Sequence, residues 1–394
     1  MLVNLWYVAE WSHAVKDKPV KVKLLGQNFV LFRGADGKVN CLSDVCLHRG
    51  GSLAGGKLHD NCVACPYHGW RYNGEGKVTF IPTAGDQGKV PERARIDAYP
   101  VEERYGMIWV FLGDLPEEER YPIPPFPEFG DPNWRAVTSE YTWNASAARV
   151  VENGIDMAHA SFVHPVFGHP STADKNFIES DHREEWWATH TCVMHPPQFK
   201  DGVLRRFIRK EKQPTRVHPS YYLPGYVVRL QVDLRPGWQI IMFDANTPVD
   251  EFTTRTFAIQ VRSFFKQRIF DKGSVKRLKD ILLQDAAIVE NASPNWLPET
   301  LENEMSVVQD KFMSFWRQTR RRHIEEHGWQ IDSAALRPHE GFKTFTIPSP
   351  GRRERPDLRW TLETVPLKAP IRERKPFEAG ATSAVASPAD TNAA

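Results

Sequence analysis

Residues 46–56 are CLHRGGSLAGG, and residues 65–70 are CPYHGW. Each segment carries one Cys followed closely by one His, and sixteen residues separate His48 from Cys65. Glycines follow both pairs, so each segment can turn tightly over a bound metal. The spacing therefore predicts two loops that present two thiolates and two imidazoles to one metal centre, from Cys46, His48, Cys65 and His68.

This ligand set is that of a Rieske [2Fe–2S] cluster, in which two His replace two Cys on one of the two irons. The alternative is a zinc site with two Cys and two His, and a binding module built on zinc would be colourless and redox-silent. Zinc fingers usually place both Cys before both His, whereas this chain repeats the order Cys-His. The order therefore favours the iron–sulfur cluster.

The run CLHRGGSLAGG…CPYHGWRYNGEGKV resembles the Rieske domain of the non-haem iron oxygenases, the aromatic-ring hydroxylases and demethylases. It is less similar to the respiratory-chain Rieske proteins, which carry an additional, disulfide-bonded Cys in each cluster loop. No Cys occupies those places here. We expect Cys41 and Cys62 to pack as small apolar side chains.

The composition is that of a globular protein. The chain has 394 residues, 41% of them hydrophobic and 25% charged, which predicts two or three domains. A formal net charge of +2 argues against a nucleic-acid partner. Five Cys, no signal-peptide pattern and no apolar run longer than residues 107–112 predict a cytoplasmic protein that does not enter a membrane.

The first part of the chain alternates short β-like runs with turn sequences. Together they predict a small antiparallel β domain over residues 1–117 that carries both metal-binding loops. A proline-rich stretch follows and predicts a linker over 118–132. The predicted strands cover residues 20–25, 28–32, 38–41, 78–80 and 107–111.

Residues 133–370 show both strand-like and helix-like periods and predict an α+β domain, an antiparallel sheet covered by helices of the helix-grip type. The predicted helices cover 274–291 and 302–327, with Gly328 as the C-terminal cap of the second. The low-complexity tail, residues 371–394, is expected to be disordered. The predicted strands of this domain cover 185–193, 226–234, 239–244 and 253–263.

A second possible metal site begins with His159 and His164. Two His five residues apart cannot share one face of a regular helix, but Pro165 suggests that the helix ends there and frees the second imidazole to turn. Such a pair alone is more often structural. Beside a one-electron cluster, a mononuclear Fe(II) held by two His and one carboxylate becomes the better interpretation. The segment ENGIDMAHASFVH, residues 152–164, resembles the catalytic motif of the same oxygenases.

The helical wheel of residues 274–291 selects Asp285 as the third iron ligand. Asp285 lies within an apolar stripe, whereas Asp280 and Glu290 fall on the opposite face. A carboxylate that faces a core is costly unless it is paired or binds a metal, so a buried ion pair is the alternative. The family resemblance implies a carboxylate ligand in a Gln-Asp context like that of Gln284 and Asp285. The stripe consists of Leu278, Ile281, Leu282, Ile288 and Val289.

The resemblance also implies a role for Asp156. In these oxygenases, head-to-tail trimers bring the cluster of one subunit beside the iron of the next. A carboxylate in the position of Asp156 then bridges an iron-bound His, here His159, and the partner subunit's His68. The alternative is an Asp at a helix N-terminus that favours the helix dipole.

The resemblance implies the terminal oxygenase of a multicomponent system, of the phthalate, vanillate and dicamba homotrimer type. Electrons from NAD(P)H would arrive through a reductase, with or without a ferredoxin. O₂ would then be activated at Fe(II) to hydroxylate, dihydroxylate or O- or N-demethylate a small aromatic substrate. A steroid or other alicyclic substrate is the first alternative, and a Rieske electron carrier without oxygenase activity is the second.

Overall fold

The structure is a computed structural model that describes residues 1–85, 88–164, 170–195, 214–300 and 303–377. The chain divides into two compact units. The first contains Met1–Ile123, Thr247–Glu251 and Arg322–Arg374, and the second contains Pro124–Asn246, Phe252–Arg321 and the residues from Lys375 onward. The sequence predicted that each domain is one continuous stretch of chain. In the structure, the C-terminal segment Arg322–Arg374 belongs to the first unit instead.

Small antiparallel sheets build the N-terminal part of the first unit. β1, β11 and β10 form one sheet, β2, β3, β4 and β9 form a second, and β5 to β8 form a third. The strands are β1 (Leu5–Trp11), β2 (Val20–Leu24), β3 (Gln27–Arg33), β4 (Val39–Ser43), β5 (Lys57–His59), β6 (Cys62–Ala64), β7 (Arg71–Asn73), β8 (Val78–Phe80), β9 (Ala98–Tyr99), β10 (Val101–Arg104) and β11 (Met107–Leu112).

Apolar patterning explains these strands. β11 is buried along its whole length, which suits its continuous apolar sequence, and it pairs with β1 and β10 at its two edges. The third sheet carries the second cluster loop between β6 and β7. A buried cluster joins the second and third sheets and includes both predicted thiol ligands; its members include Val30, Phe32, Leu42, Cys46, Val63, Cys65 and Tyr72.

A seven-stranded sheet in the order β12-β18-β17-β16-β15-β14-β13 forms the frame of the second unit. Neighbouring strands from β13 to β17 pair antiparallel, as do β12 and β18. The strands are β12 (Arg135–Trp143), β13 (Phe177–Arg183), β14 (Trp187–Met194), β15 (Thr215–Tyr222), β16 (Val227–Arg235), β17 (Trp238–Pro248) and β18 (Thr254–Arg262).

Helices of the second unit pack on this sheet. They include α1 (Ala147–Ile155), α2 (Ala160–Val163), α3 (Asp271–Val289) and the first part of α4 (Lys311–His327), whose residues from Arg322 onward belong to the first unit. The apolar face of α3 packs against the sheet through Leu278, Leu282 and Ala286, which join one cluster with Trp143, Met242 and Ala258. α1 approaches β16 so closely that a Cβ on Gly154 would lie 3.1 Å from a Val228 methyl carbon. A larger residue at position 154 would therefore push α1 away from β16.

The C-terminal segment of the first unit contains α5 (Ser333–Leu336), β19 (Phe345–Thr346), α6 (Pro350–Glu354) and β20 (Glu363–Thr364). Its apolar side chains Trp329, Ile331, Ile347 and Val365 are buried. The backbone N–H of Ile331 donates to the carbonyl of Met1 at 3.0 Å. These contacts explain why the segment belongs with the N-terminal residues rather than with the sheet of the second unit.

The predicted α+β architecture is confirmed, with differences at element ends. α3 begins at Asp271, three residues before its predicted start. α4 begins at Lys311 rather than at residue 302, and Gly328 ends it with a φ of 67°, as expected of a glycine cap. Residues 378–394 of the expected disordered tail, and Pro165, lie outside the described residues. None of the described helices combines the length and hydropathy of a membrane span.

Candidate metal centres

The two cluster loops have the same backbone design. In the first, the N–H of Cys46 donates to the carbonyl of Gly51 at 2.8 Å, and the N–H of Gly50 donates back to the carbonyl of Cys46 at 2.8 Å. Gly50 has a φ of 71°, a left-handed conformation that favours glycine. The sequence Arg-Gly-Gly thus closes a tight turn behind the first thiol.

The second loop repeats this pattern. The N–H of Cys65 donates to the carbonyl of Trp70 at 2.8 Å, and the N–H of Gly69 donates to the carbonyl of Cys65 at 2.9 Å. Gly69 has a φ of 72°. Each turn therefore encloses one of the predicted Cys-His pairs.

The structure brings the four predicted cluster ligands together. Cys46 and Cys65 are 2% and 3% exposed, and the rings of His48 and His68 lie 4.4 Å apart between centroids. Burial raises the pKa of the Cys46 thiol, and the neighbouring Cys65 adds to this rise. The Nδ1 atom of His48 is shielded from solvent and has no hydrogen-bond partner among the described residues. Buried thiols and an unpaired imidazole nitrogen fit an iron–sulfur cluster.

Two aromatic residues support these ligands. The Tyr72 hydroxyl donates to the Cys46 sulfur at 3.2 Å and accepts the N–H of Leu47 at 3.0 Å. The Trp70 ring stacks on His48 with centroids 4.9 Å apart and 5° between the planes. Cys41 is buried, as expected of a cysteine that packs as a small apolar side chain. Cys62 is only half-buried, and both are free thiols.

In the second unit, His159, His164 and Asp285 converge on one point. The Nε2 atoms of the two imidazoles lie 3.2 Å apart. Asp285 Oδ1 lies 3.3 Å from His159 Nε2 and 3.0 Å from His164 Nε2. His164 and Asp285 are 4% and 8% exposed. Two imidazole nitrogens and one carboxylate oxygen on one side of a centre are the ligand set of a non-haem Fe(II) oxygenase.

The electrostatics of this site favour a cation. Burial lowers the pKa of His159, but Asp156 and Asp285 outweigh burial and raise it to about 9. Burial raises the pKa of Asp285, yet His159 and His164 bring it below its ordinary value. The Oδ1 atom of Asp285 is shielded from solvent, and no neighbour among the described residues donates to it in good hydrogen-bond geometry. A divalent metal ion would satisfy all three ligand atoms.

Local structure explains how two His five residues apart can meet. α2 is a single turn that begins after His159 and ends before His164. His159 has helical backbone angles, whereas His164 is extended with φ of −113° and ψ of 93°. The chain therefore leaves the helix at His164, as the sequence predicted, and its imidazole turns back toward His159.

Asp156 follows the last residue of α1, with φ of −78° and ψ of 107°. It is therefore not at a helix N-terminus, and the dipole alternative is wrong. Its Oδ1 accepts the N–H of Ala158 at 2.8 Å, and its Oδ2 lies 3.7 Å from Nδ1 of His159. The turn that it closes holds the carboxylate behind the first imidazole.

Sequence reasoning missed two polar residues of the sheet, Asp244, which is half-buried, and His190, which is buried. Asp244 on β17 has a solvent-shielded Oδ1 without a hydrogen-bond partner among the described residues. Burial, with a smaller contribution from the charge of Asp285, raises its pKa to about 7. His190 on β14 packs on Phe312 at 4.1 Å between centroids, and burial lowers its pKa to about 4. Strand alternation could have placed Asp244 beside the buried Met242, two residues earlier.

An apolar cluster borders the iron-binding segment. Met157 and Ala160, which flank His159 in sequence, pack with side chains of the sheet. The sheet contributes Cys192, Met194, Val217 and Val232, with Leu230 and Leu234 partly buried beside them. Apolar side chains of the sheet therefore pack against the segment that carries His159.

Comparisons with known proteins agree with both centres. Residues 5–100 match the Rieske [2Fe-2S] domain, and residues 143–326 match the vanillate O-demethylase oxygenase C-terminal domain. The oxygenase component of a 3-ketosteroid-9-alpha-monooxygenase from Rhodococcus rhodochrous is 31% identical, over 77% of this chain and 79% of that protein. The chain belongs to the Rieske non-haem iron oxygenases.

Two further similarities cover most of this Rieske oxygenase. Methylxanthine N1-demethylase NdmA from Pseudomonas putida is 29% identical over 83% of this chain and 89% of that protein. The structure of NdmA from strain CBB5 with caffeine gives a TM-score of 0.70 at 26% identity, covering 82% of this chain and 91% of that one. The chain is the terminal oxygenase component of its system, and it uses a [2Fe–2S] cluster and a mononuclear iron.

These matches settle two alternatives. A chain with an oxygenase domain over residues 143–326 is not a simple electron carrier, and a Rieske domain is not a zinc module. Rieske oxygenases similar to this chain work with separate reductase or ferredoxin proteins that supply electrons.

Proposed function

We propose that Cys46, His48, Cys65 and His68 bind the Rieske cluster and that His159, His164 and Asp285 bind the mononuclear iron. The convergence of two Nε2 atoms and one carboxylate oxygen within 3.3 Å of one another carries the second assignment. When bound, this iron supplies the chemistry of O₂ activation. The protein contributes one ionised carboxylate and two oriented imidazoles, and apolar side chains of the sheet pack against the segment that carries His159.

The substrate is a small, largely apolar organic molecule that is hydroxylated, dihydroxylated or demethylated. An aromatic or heteroaromatic N- or O-methyl compound is the first candidate, because one similar protein is named a methylxanthine N1-demethylase and residues 143–326 match a vanillate O-demethylase domain. A steroid is the second, because another similar protein is named a 3-ketosteroid-9-alpha-monooxygenase. The apolar cluster around Met157 and Met194 is compatible with either.

In this proposal the protein is a head-to-tail homotrimer, and Asp156 mediates electron transfer from the cluster of one subunit to the iron of the next. An NAD(P)H-dependent reductase supplies the electrons. Two observations support this part of the proposal. The Asp156 carboxylate already faces His159, and it is partly exposed, with 29% of its side chain accessible. His68 is exposed as well, beside Tyr67, which is 66% exposed. A carboxylate between two such imidazoles would orient both rings.

The cluster assignment is tested with Cys65→Ala. The wild type should be red-brown, with two acid-labile sulfides per cluster, and the variant should lose both properties because one thiolate ligand is missing. Cys62→Ala is the matched control, since Cys62 lies three residues away and is a free, half-buried thiol. A variant that kept its colour without Cys65 would contradict the ligand set.

The iron assignment is tested with Asp285→Ala. This variant should keep the visible spectrum of the cluster but lose the third iron and all product formation. Asp280→Ala is the control on the same helix, because Asp280 forms an exposed pair with Lys276 at 2.6 Å. If Asp280→Ala lost the iron and Asp285→Ala kept it, the assignment would be wrong.

Asp156→Asn tests the bridge between subunits. Both metals should bind and the cluster should still be reduced by its donor, because Asp156 is a ligand of neither metal. Reoxidation of the cluster with substrate and O₂ should slow roughly 10–100-fold, the usual cost of losing an outer partner of a metal-bound His. Reoxidation at the wild-type rate, or a fully active monomer in sedimentation analysis, would refute the bridging role.

Product identification decides the substrate class. The enzyme, a surrogate reductase, NADH and ¹⁸O₂ are incubated with a panel of methylated aromatic, heteroaromatic and steroid compounds. A demethylase releases formaldehyde with the dealkylated product, whereas a hydroxylase gives a product that contains one ¹⁸O and a dioxygenase gives one that contains two. Activity on steroids alone would replace the first candidate with the second.

A further inference from the structure

His164 makes a side-chain contact that the ligand set does not explain. Its Nδ1 atom lies 2.9 Å from Oε1 of Gln284, the residue that precedes Asp285 on α3. His164 is 4% exposed, whereas Gln284 lies on the exposed side of the helix. An exposed glutamine is free to point into water, so its alignment with a buried imidazole calls for an explanation.

The position of His164 fixes the direction of this hydrogen bond. Its Nε2 atom is the one that faces His159 and Asp285, at 3.2 and 3.0 Å. A nitrogen that binds a metal must offer its lone pair, so a neutral imidazole carries its proton on the other nitrogen. His164 Nδ1–H therefore donates, and the amide oxygen of Gln284 accepts.

The two imidazoles of the site are held differently. His159 has the carboxylate of Asp156 at 3.7 Å from its Nδ1, which is too long for a direct hydrogen bond. His164 has a neutral amide oxygen at 2.9 Å. An amide acceptor fixes the ring and its tautomer but pushes less electron density toward the metal than a carboxylate does.

Gln284 and Asp285 are adjacent, so one turn of α3 reaches two ligands of the site. The Asp285 side chain lies near Nε2 of His164, while the Gln284 side chain contacts Nδ1 on the other side of the same ring. Burial of Leu282 and Ala286 fixes this turn against the sheet. The carboxylate ligand and the alignment of one imidazole thus depend on the same helix.

We propose that Gln284 is a positioning residue of the iron site, which holds the His164 ring in the tautomer and orientation that metal binding requires. The inference rests on the proposed function, because it needs His164 to be an iron ligand. If Gln284 has this role, residue 284 must offer an oxygen that accepts the hydrogen bond from His164 Nδ1–H. The charge on that oxygen should then change the affinity of the site for the metal.

Two variants with opposite expected effects test this role. Gln284→Leu removes the acceptor, and the dissociation constant for Fe²⁺ under anaerobic conditions should rise 10–100-fold. Gln284→Glu offers a carboxylate oxygen instead, so Fe²⁺ should bind as tightly as in the wild type or more tightly. A role in helix packing alone would not make the two variants diverge. Gln309→Leu, at an exposed glutamine of the same unit, is the matched control and should bind Fe²⁺ like the wild type.

A second measurement observes the hydrogen bond itself. In protein loaded with Co²⁺ at the mononuclear site, the Nδ1–H protons of bound imidazoles give shifted, solvent-exchangeable proton resonances. The His164 resonance should exchange slowly in the wild type and in Gln284→Glu, and it should broaden or vanish in Gln284→Leu. The corresponding His159 resonance should be unchanged in Gln284→Leu, which distinguishes the two imidazoles.

Failure of this inference can be told apart from failure of the iron assignment. If His164→Ala kept wild-type Fe²⁺ affinity, the proposed ligand set would be wrong. If His164→Ala lost the metal while Gln284→Leu kept both the affinity and the slowly exchanging resonance, only the role of Gln284 would be refuted. Equal weakening by Gln284→Leu and Gln284→Glu would also refute it.

Discussion

Tyr72 is placed to set the potential of the cluster. Its hydroxyl donates to the Cys46 sulfur at 3.2 Å, and burial raises its pKa, so the proton remains available. The bond stabilises the reduced, more electron-rich cluster. A hydrogen bond is worth about 1 kcal/mol, which for one electron corresponds to about 40 mV. We therefore expect Tyr72→Phe to lower the reduction potential by roughly that amount in a spectroelectrochemical titration.

Tyr67→Phe is the control for this prediction. Tyr67 lies in the second cluster loop and is 66% exposed, with its ring 4.0 Å from that of His68, and among the described residues its hydroxyl does not bond to Cys46 or Cys65. Its removal should leave the potential unchanged. Equal shifts in both variants would show that the loss of any nearby hydroxyl, rather than the bond to Cys46, changes the potential.

Asp244 predicts a pH dependence of stability. Its folded pKa of about 7 lies above the value of about 3.9 in an unfolded chain. Below pH 4 both states are protonated, and as the pH rises toward 7 only the unfolded chain releases the proton. The folded state should therefore lose stability across this window, by at most about 4 kcal/mol.

The comparison variant is Asp244→Asn, studied in protein depleted of the mononuclear iron. Urea unfolding should show little difference from the wild type at pH 4 and a more stable variant at pH 7.5, because the amide has no proton to lose. Asp280→Asn, on the exposed face of α3, should not remove the pH dependence. A wild type whose stability did not change between these pH values would contradict the prediction.

Single residues were predictable where chemistry and local spacing coincide. The Cys-His pairs and His159 with His164 are close in sequence, and the helical wheel of α3 correctly placed Asp285 on the buried face. The same wheel placed Ile288 in the apolar stripe, although it is 56% exposed. The contacts of Tyr72 and Gln284 could not be predicted, because they join residues 26 and 120 positions apart in the chain.

At the scale of elements, the start of α3 depends on one carboxylate. Asp271 receives hydrogen bonds from Arg135 on β12 and from Arg262 on β18, both as short as 2.6 Å. These guanidinium groups, Arg135 first, lower the pKa of Asp271 to about 2. The sheet partners of Asp271 are far away in sequence. The hydrophobic periodicity therefore predicted a helix that starts at residue 274 rather than at 271.

Asp271→Asn should therefore destabilise the second unit in a pH-dependent way. The carboxylate contributes stability above its unfolded pKa, near pH 4, and this contribution disappears as the pH falls to about 2. Hydrogen bonds to charged groups suggest a loss of about 1.5–3 kcal/mol at pH 7. Urea unfolding followed by far-UV circular dichroism at pH 7 measures the loss, and Asp310→Asn at the start of α4 serves as the control.

Strands were predicted best where their sequences alternate cleanly. β16, β17 and β18 agree with their predicted ranges to within a few residues. β12, β13 and β15 were missed, and the sequences of β12 and β15 each have an obstacle. β12 (Arg135–Trp143) alternates largely polar residues on its exposed face, and β15 (Thr215–Tyr222) contains Pro219. Pairing with neighbouring strands stabilises both, and no single segment reveals that pairing.

At the scale of the whole molecule, the chain order does not follow the division into units. Arg322–Arg374 belongs to the first unit, and one buried ion pair shows how the segment is attached. Asp97, with no exposed surface, accepts Arg352 at 2.6 and 2.8 Å and the hydroxyl of Ser349 at 2.7 Å. Sequence patterns identify a Rieske domain from its N-terminal loops, but they do not show which distant Arg neutralises a carboxylate in its interior.

Arg352→Met tests whether this attachment supports the cluster-bearing unit. The variant keeps much of the side-chain volume but leaves Asp97 buried without its charged partner, which typically costs about 3–5 kcal/mol. Arg353→Met removes the next guanidinium, which is 49% exposed and lies 3.4 Å from Asp114, so a loss below about 1 kcal/mol is expected. Urea titrations followed by the visible circular dichroism of the cluster report on the first unit directly. Equal midpoints for the two variants would show that the C-terminal segment is dispensable there. A selective loss in Arg352→Met would show that the Rieske unit needs the end of the chain.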